Sequence, residues 1–232
     1  MYVIILLKQK MDIQKTSGVF QQSFPSDIVN IILQYTDNNI IIQLQDYFPH
    51  SLKHITINEK ELELINKNNY QYIRKFNCSD SKNITDNCIK YLTQLTHLYC
   101  ANCPSITDDG IRHLVHLTEL DCRNCPNITD NGIQYLVLLT KLYCQNCPKI
   151  TDKGIRHLGR LTELYCSNCP KITDNSIQHL TQLTVLFCMD CPNITDNSIQ
   201  NLVRLTELYC WFCPKITSNM KQIIAARNRL KN

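Results

Sequence analysis

The chain has 232 residues, and its 24 Lys and Arg against 20 Asp and Glu leave a formal net charge of +4. So weak an excess gives no electrostatic footprint for nucleic acid, and the apolar run Tyr2 to Leu7 falls far short of the ~20 residues of a membrane-spanning helix. With no basic segment before that run and no small-residue cleavage site after it, the sequence does not read as secreted; it points inside a cell, to the cytoplasm with the nucleus left open.

Residues 1–19 match no recognisable pattern and stay unassigned. Residues 20–50 read as helical. Pro25 stands where a helix can begin, Asp27 suits its positive N-terminal end, and Ile28, Val29, Ile32 and Leu33 recur at helical spacing. A second apolar segment, Ile40 to Phe48, ends at Pro49, so two short helices are expected. Residues 51–72 read as a degenerate capping repeat, with Leu52, Ile55 and Ile57 at the spacing of positions 1, 4 and 6 of the copies that follow and residues 58–72 supplying its helix. Nothing rich in Pro, Gly or Ser separates it from the segment before, which predicts a rigid join.

Residues 73–226 hold seven tandem copies of one 22-residue pattern, beginning at Ile73, Leu95, Leu117, Leu139, Leu161, Leu183 and Leu205. Within a copy numbered 1 to 22, position 4 is apolar and position 6 is always Cys, two residues apart and so on one face of a strand. Pro at position 10 of the last six copies lacks the N–H a ladder needs and ends the strand. Ile and Thr at positions 12 and 13 then lead into a short helix, capped by Thr or Asp, with Ile at position 17 and Leu at position 20 on one helical face in most copies. No single coil encloses its own apolar side chains; stacked coils bury them as continuous columns. The expected fold is therefore an α/β solenoid, a parallel sheet on the concave side and short helices on the convex side. The segment from Met220 replaces the usual helix and should cover the last coil, leaving residues 227–232 as a tail.

Twelve of the 14 cysteines form Cys-x-x-Cys pairs at positions 6 and 9. The spacing formally fits zinc, but a column spreads its sulfurs along the solenoid axis, whereas zinc needs four converging thiolates. Reduced Cys packing as a small hydrophobe is the preferred reading, with no metal and no cofactor. His113, His157 and His179 share position 19, a column in which Tyr91 and Tyr135 also stand, and repeat drift accounts for them. The basic residues at positions 18 and 22, Lys90, Arg112, Arg156, Arg160 and Arg204, read as a solvated helix face. No catalytic constellation emerges, so the chain is expected not to be an enzyme.

Function should lie where copies vary on the outward face of the sheet, at positions 3, 5 and 7. Position 5 reads Asn77, Tyr99, Asp121, Tyr143, Tyr165, Phe187, Tyr209, so five of seven coils put a ring in one column. Met189 and Trp211 at position 7 and Phe212 at position 8 extend it. The candidate target-binding residues are Tyr99, Tyr143, Tyr165, Phe187, Met189, Tyr209, Trp211 and Phe212, because surplus exposed rings suit protein recognition. The same rings could serve by stacking along the sheet and stabilising it. Position 3 carries mixed charge, from Lys75 to Glu207, which favours selectivity over a charge class.

The segment Phe24-Pro25-x-Asp27-Ile28-Val29-x-x-Ile32-Leu33-x-Tyr35 resembles the opening of an F-box, departing at Thr36, and the usual later Trp is absent. The repeats resemble the cysteine-containing subfamily of leucine-rich repeats over about two thirds of the chain. That subfamily often follows an F-box, in the order seen here. Together the resemblances imply a leucine-rich-repeat horseshoe serving as the substrate receptor of an SCF-type ubiquitin ligase. On that reading Phe24, Pro25, Asp27, Ile28, Val29, Ile32, Leu33 and Tyr35 dock on a Skp-type adaptor tied to a cullin, and the concave face takes a target protein. The alternative is a free-standing binding module or decoy whose N-terminal helices only cap the solenoid.

Overall fold

The structure is a computed structural model that describes residues 56–65 and 67–230. The F-box-like segment and its eight adaptor-docking residues lie outside the described residues, as do Leu52 and Ile55. Among the described residues, eight parallel strands lie in sequence order in one open sheet. They are β1 (Thr56–Asn58), β2 (Lys75–Asn77), β3 (His97–Tyr99), β4 (Glu119–Asp121), β5 (Lys141–Tyr143), β6 (Glu163–Tyr165), β7 (Val185–Phe187) and β8 (Glu207–Tyr209). Helix α1 (Glu59–Leu64) and a 3-10 turn (Lys67–Tyr72) follow β1. Six single-turn helices join the later strands: α2 (Asp86–Ile89), α3 (Asp108–Ile111), α4 (Asp130–Ile133), α5 (Asp152–Ile155), α6 (Asp174–Ile177) and α7 (Asp196–Ile199). A longer helix, α8 (Ser218–Arg229), closes the chain. This is the leucine-rich-repeat solenoid, each coil pairing with the next at an offset of 22 residues from β2 onward.

The first coil departs from its expected register. Ile57 pairs with Phe76 and so occupies position 4, two residues from the position 6 read in the sequence. A two-residue slip leaves the same side chains facing inward, which is why the apolar pattern alone did not distinguish the two registers.

The core is a set of columns. Positions 1, 4, 6, 12, 17 and 20 are buried almost throughout, and the position-9 cysteines join them as a further column. Each position-9 thiol from Cys103 to Cys213 donates to the carbonyl of the position-6 residue one coil back, for example Cys125 to Cys100 at 3.0 Å and Cys147 to Cys122 at 3.1 Å. All 14 cysteines are free thiols. In Cys100, Cys122, Cys144 and Cys166 the contact with the partner thiol one coil on, and then burial, push the thiol pKa well up, so these sulfurs pack protonated. Among the described residues no group of three or more His, Cys, Asp or Glu is arranged to hold a metal.

Two polar ladders hold coil to coil. From Thr107 onward, Thr at position 13 caps its own helix, as Thr151 Oγ1 accepts from the Lys153 N–H at 3.2 Å. Asp at position 14 reaches the next coil instead: Asp130 accepts from the Thr151 N–H at 2.8 Å and from Thr151 Oγ1 at 2.7 Å. The same pair of bonds recurs from Asp86 to Asp196. Their carboxylates explain position 16: a Cβ on Gly132 or Gly154 would lie 2.5 Å from the Oδ1 of Asp108 or Asp130. Where position 16 is Ser, the hydroxyl turns that crowding into a third bond, Ser176 to Asp152 at 2.6 Å.

Position 8 has a backbone reason. Asp80, Asn102, Asn124, Asn146, Asn168, Asp190 and Phe212 all adopt the left-handed conformation, with φ from 55° to 65°. Asn and Asp tolerate it best among residues with a side chain. Their amides form the second ladder, Asn124 donating to Asn102 and Asn146 to Asn124 at 2.7 Å each.

Candidate recognition surface

The outward positions of the strands form the concave face. In the position-5 column, Tyr143, Tyr165, Phe187 and Tyr209 make one continuous stack, with centroid separations of 4.4, 4.6 and 3.9 Å and interplanar angles of 16° to 21°. Parallel strands about 4.8 Å apart in register bring successive rings to stacking distance without further adjustment. The inner faces are therefore covered and the ring edges look outward: the rings support one another, as the stacking reading expects, and still present a surface. Among the described residues no helix is long and apolar enough to cross a membrane.

The structure separates the predicted site residues. Tyr99 is cut off from the stack by Asp121, which is buried and held by Arg123 through two bonds of 2.9 and 2.6 Å. Its nearest ring is His97, tilted at 6.4 Å. Trp211 leans on Tyr209 at 6.0 Å and 50°, at the end of the stack. Trp211 and Phe212 are the most open of the group, at 59% and 79% exposure, whereas Met189 is partly buried.

Position 3 forms a charged row beside the rings. Lys141 bonds Glu163 at 2.7 Å across two strands, and that carboxylate holds the lysine above the usual ammonium range. Glu163 also accepts from the Tyr165 hydroxyl at 3.3 Å. Burial first, then the Glu163 charge, push the Tyr165 phenol up to about 12. His97 faces Glu119 at 3.8 Å, but burial and then Lys75 hold its pKa below the usual imidazole value, so at neutral pH the contact lacks a full positive charge. Glu207 meets no basic group within ion-pair distance among the described residues and accepts only from the Tyr209 hydroxyl at 3.4 Å. At position 7 the buried Gln145 Oε1 takes no hydrogen bond. Sequence reasoning placed Asp121 and Glu207 in the outward columns without giving either a role of its own, and missed Gln145; the break that Asp121 makes in a column of rings was the one visible signal.

The sequence matches no described protein family. It also matches no curated protein. Among solved structures, a chain of the yeast Rad7 and Elc1 complex superposes with a TM-score of 0.53 at 14% identity, covering 99% of this chain and 91% of that one. An internalin C2 from Listeria monocytogenes gives 0.49 at 20% identity, covering 66% of this chain and 77% of its own. The functional domain of InlJ from Listeria monocytogenes, described as including a cysteine ladder, gives 0.47 at 24% identity, covering 63% of this chain and 36% of its own. At these identities the Rad7 likeness is one of fold.

Proposed function

We propose that this chain is the target-binding subunit of an SCF-type ubiquitin ligase, gripping a Skp-type adaptor and its cullin through residues 24–35 and a target protein through the concave ring column. The observation that carries target binding is the half-exposed stack Tyr143, Tyr165, Phe187 and Tyr209 with Trp211 at its end. Each core column is already filled by aliphatic side chains and Cys, so the fold has no packing need for these rings. The F-box-like pattern from Phe24 to Tyr35, preceding the repeats, supports the adaptor half. A similar fold found together with a second protein, Elc1, fits a role as one subunit among several. The chain itself does no chemistry on this reading. Holding a target beside a ubiquitin-carrying enzyme raises their effective concentration, which is sufficient to direct the transfer.

Co-purification tests both halves. The full chain should capture a Skp-type adaptor and cullin, and Pro25→Ala with Ile28→Asp should lose that capture while keeping target binding. Tyr165→Ala, Tyr209→Ala and Trp211→Ala together should do the reverse. Adaptor capture by neither form of a folded chain would return it to the free-standing binding module, and target binding that survives the triple change would move the site off the ring column.

A further inference from the structure

The last strand of the sheet ends unlike an end. In the inner coils the position-6 and position-8 N–H groups donate to the next coil, as Cys188 does to the Tyr209 carbonyl at 2.9 Å and Asp190 to the Trp211 carbonyl at 3.1 Å. The Thr184 carbonyl takes N–H bonds from both Thr206 and Glu207 at 3.0 Å. The equivalent groups of β8, the Cys210 and Phe212 N–H and the Thr206 carbonyl, make no hydrogen bond among the described residues. Helix α8 packs against β8 and closes the core at this end, Arg227 Nη1 donating to the Leu202 carbonyl at 2.8 Å. Yet Leu208 is only partly buried, where the position-4 residues of β2 to β7 are wholly so. Natural sheet edges are usually blunted by Lys, Pro or a covering segment, and β8 carries neither Lys nor Pro.

The side chains along that edge specify what would sit beside it. Among the described residues Glu207 has no cation within ion-pair distance, Leu208 is only partly buried, and the end of the ring stack at Tyr209 meets only the tilted Trp211. Pairing in this sheet is parallel and in register, residue against residue. We propose that β8 accepts a ninth parallel strand from a partner protein, an extended segment bearing a basic residue opposite Glu207, an aliphatic residue opposite Leu208 and a flat ring or guanidinium opposite Tyr209. Main-chain bonds supply the affinity of such strand addition and alternate side chains supply its specificity. Within the molecule the same order, a Glu strand followed by a Lys strand, occurs between β4 and β5, where Glu119 lies opposite Lys141 and Leu120 opposite Leu142, and successive rings stack between β5 and β6, Tyr143 on Tyr165 at 4.4 Å. Trp211 and Phe212 flank the position and would cover the incoming segment. This surface is the edge of the sheet and does not depend on the concave face being the target site.

The test is fluorescence anisotropy of the full chain with a labelled peptide, Thr-Lys-Leu-Tyr-Ser-Gln-Asn, which copies Thr140 to Asn146 with Ser in place of Cys144. Saturable binding is expected. Replacing its Lys by Glu should weaken binding at least about fivefold, the scale of losing an exposed ion pair and gaining a like-charge contact. The Glu207→Lys chain should invert that preference, and its binding of the Glu peptide also shows that the variant is folded. N-methylation of the peptide's Lys nitrogen removes one of the two donors for the Thr206 carbonyl and sets a methyl group in the ladder, and should weaken binding at least about tenfold. Tyr135→Ala, an exposed residue on the convex side, should leave affinity unchanged. Absence of saturable binding, a charge preference that Glu207→Lys does not invert, indifference to N-methylation, or a chain that sediments as a dimer through this edge would each overturn the proposal.

Discussion

Gly154→Ala sets two physical effects against each other. Helix propensity favours Ala over Gly by up to about 1 kcal/mol, so a reading of α5 in isolation predicts a more stable protein. The structure predicts the opposite. The new methyl group would stand 2.5 Å from Asp130 Oδ1 and 3.0 Å from Ile133 Cδ1. That carboxylate is pinned by the Thr151 N–H at 2.8 Å and Thr151 Oγ1 at 2.7 Å, so it cannot swing aside as a free side chain would. Overpacking of this kind costs about 1 to 3 kcal/mol, and weakening either charge-assisted bond adds to it. The expected net loss is about 1 to 3 kcal/mol, read as a lower urea midpoint at unchanged slope. Gly154→Ser, although larger, should lose less, because its hydroxyl can donate to Asp130 as Ser176 does to Asp152 at 2.6 Å. A double change, Gly154→Ala with Asp130→Ala, should show a coupling of at least about 1 kcal/mol, since removing the carboxylate removes the clash. An Ala variant as stable as the parent, or a Ser variant less stable than Ala, would refute the reasoning.

Titration of the ring column follows from burial. A tyrosine whose folded pKa lies above its unfolded value stabilises the fold relative to the ionised state only below the unfolded value, and that contribution fades as pH rises toward the folded value. With Tyr165 pushed up to about 12, stability should fall between about pH 10 and 12, and the ultraviolet difference between the chain and its Tyr165→Phe variant should show this phenol ionising near pH 12; ionisation near pH 10 would contradict its burial. Cys213 is held down to about 7 chiefly by the Cys188 thiol that hydrogen-bonds it, and it lies in the last coil. Mass spectrometry after brief iodoacetamide treatment of the native chain at pH 8 should therefore find Cys213 alkylated ahead of Cys122, Cys144 and Cys166; equal labelling would count against it. Phe212→Asn should raise stability by about 1 kcal/mol, since Phe at φ 60° stands where the other coils use Asn or Asp; an unchanged urea midpoint would mean that Phe212 makes up the difference by packing.

The repeat, its strands and its apolar columns were legible in the sequence because a 22-residue period with Cys and Leu two apart leaves few physical solutions. The Asp ladder was half legible. Thr-Asp signals a helix start, and Thr151 does cap its own helix, but nothing local says that Asp130 reaches past it to the following coil. Gly at position 16 was invisible for the same reason, since its constraint comes from a residue 24 positions earlier. The register of β1 was misread because inward alternation is preserved by a slip of two. In the candidate site, the ring column followed from position 5, whereas the separation of Tyr99 depends on Asp121 being drawn inward by Arg123, a contact between residues two apart in the chain. The adaptor-docking residues from Phe24 to Tyr35 rest on sequence alone.

The last coil shows two kinds of exception, and they differ in meaning. Position 14, Asp in all six earlier coils, becomes Ser218, where no following Thr exists to receive a carboxylate. Position 16, restricted to Gly or Ser wherever a preceding carboxylate crowds an inner coil, becomes Met220 and packs into the end of the core. Cys88 occupies the same position in the coil of β2, and there the residue 22 before Asp86 is Leu64, so no carboxylate crowds it. These changes are what termination of a solenoid requires. Trp211, Phe212 and Glu207 are changes of the other kind: a terminal coil gains nothing in water from two exposed rings, one of them in a strained backbone conformation, or from a carboxylate without a cation. Helix α8 finishes the convex half of the last coil and packs against β8, yet the strand keeps the pairing groups of an inner one. A chain that ends its ladders so consistently on one side, and on the other keeps both the pairing groups and the side chains of a strand awaiting its neighbour, has an edge whose composition is explained by occupancy.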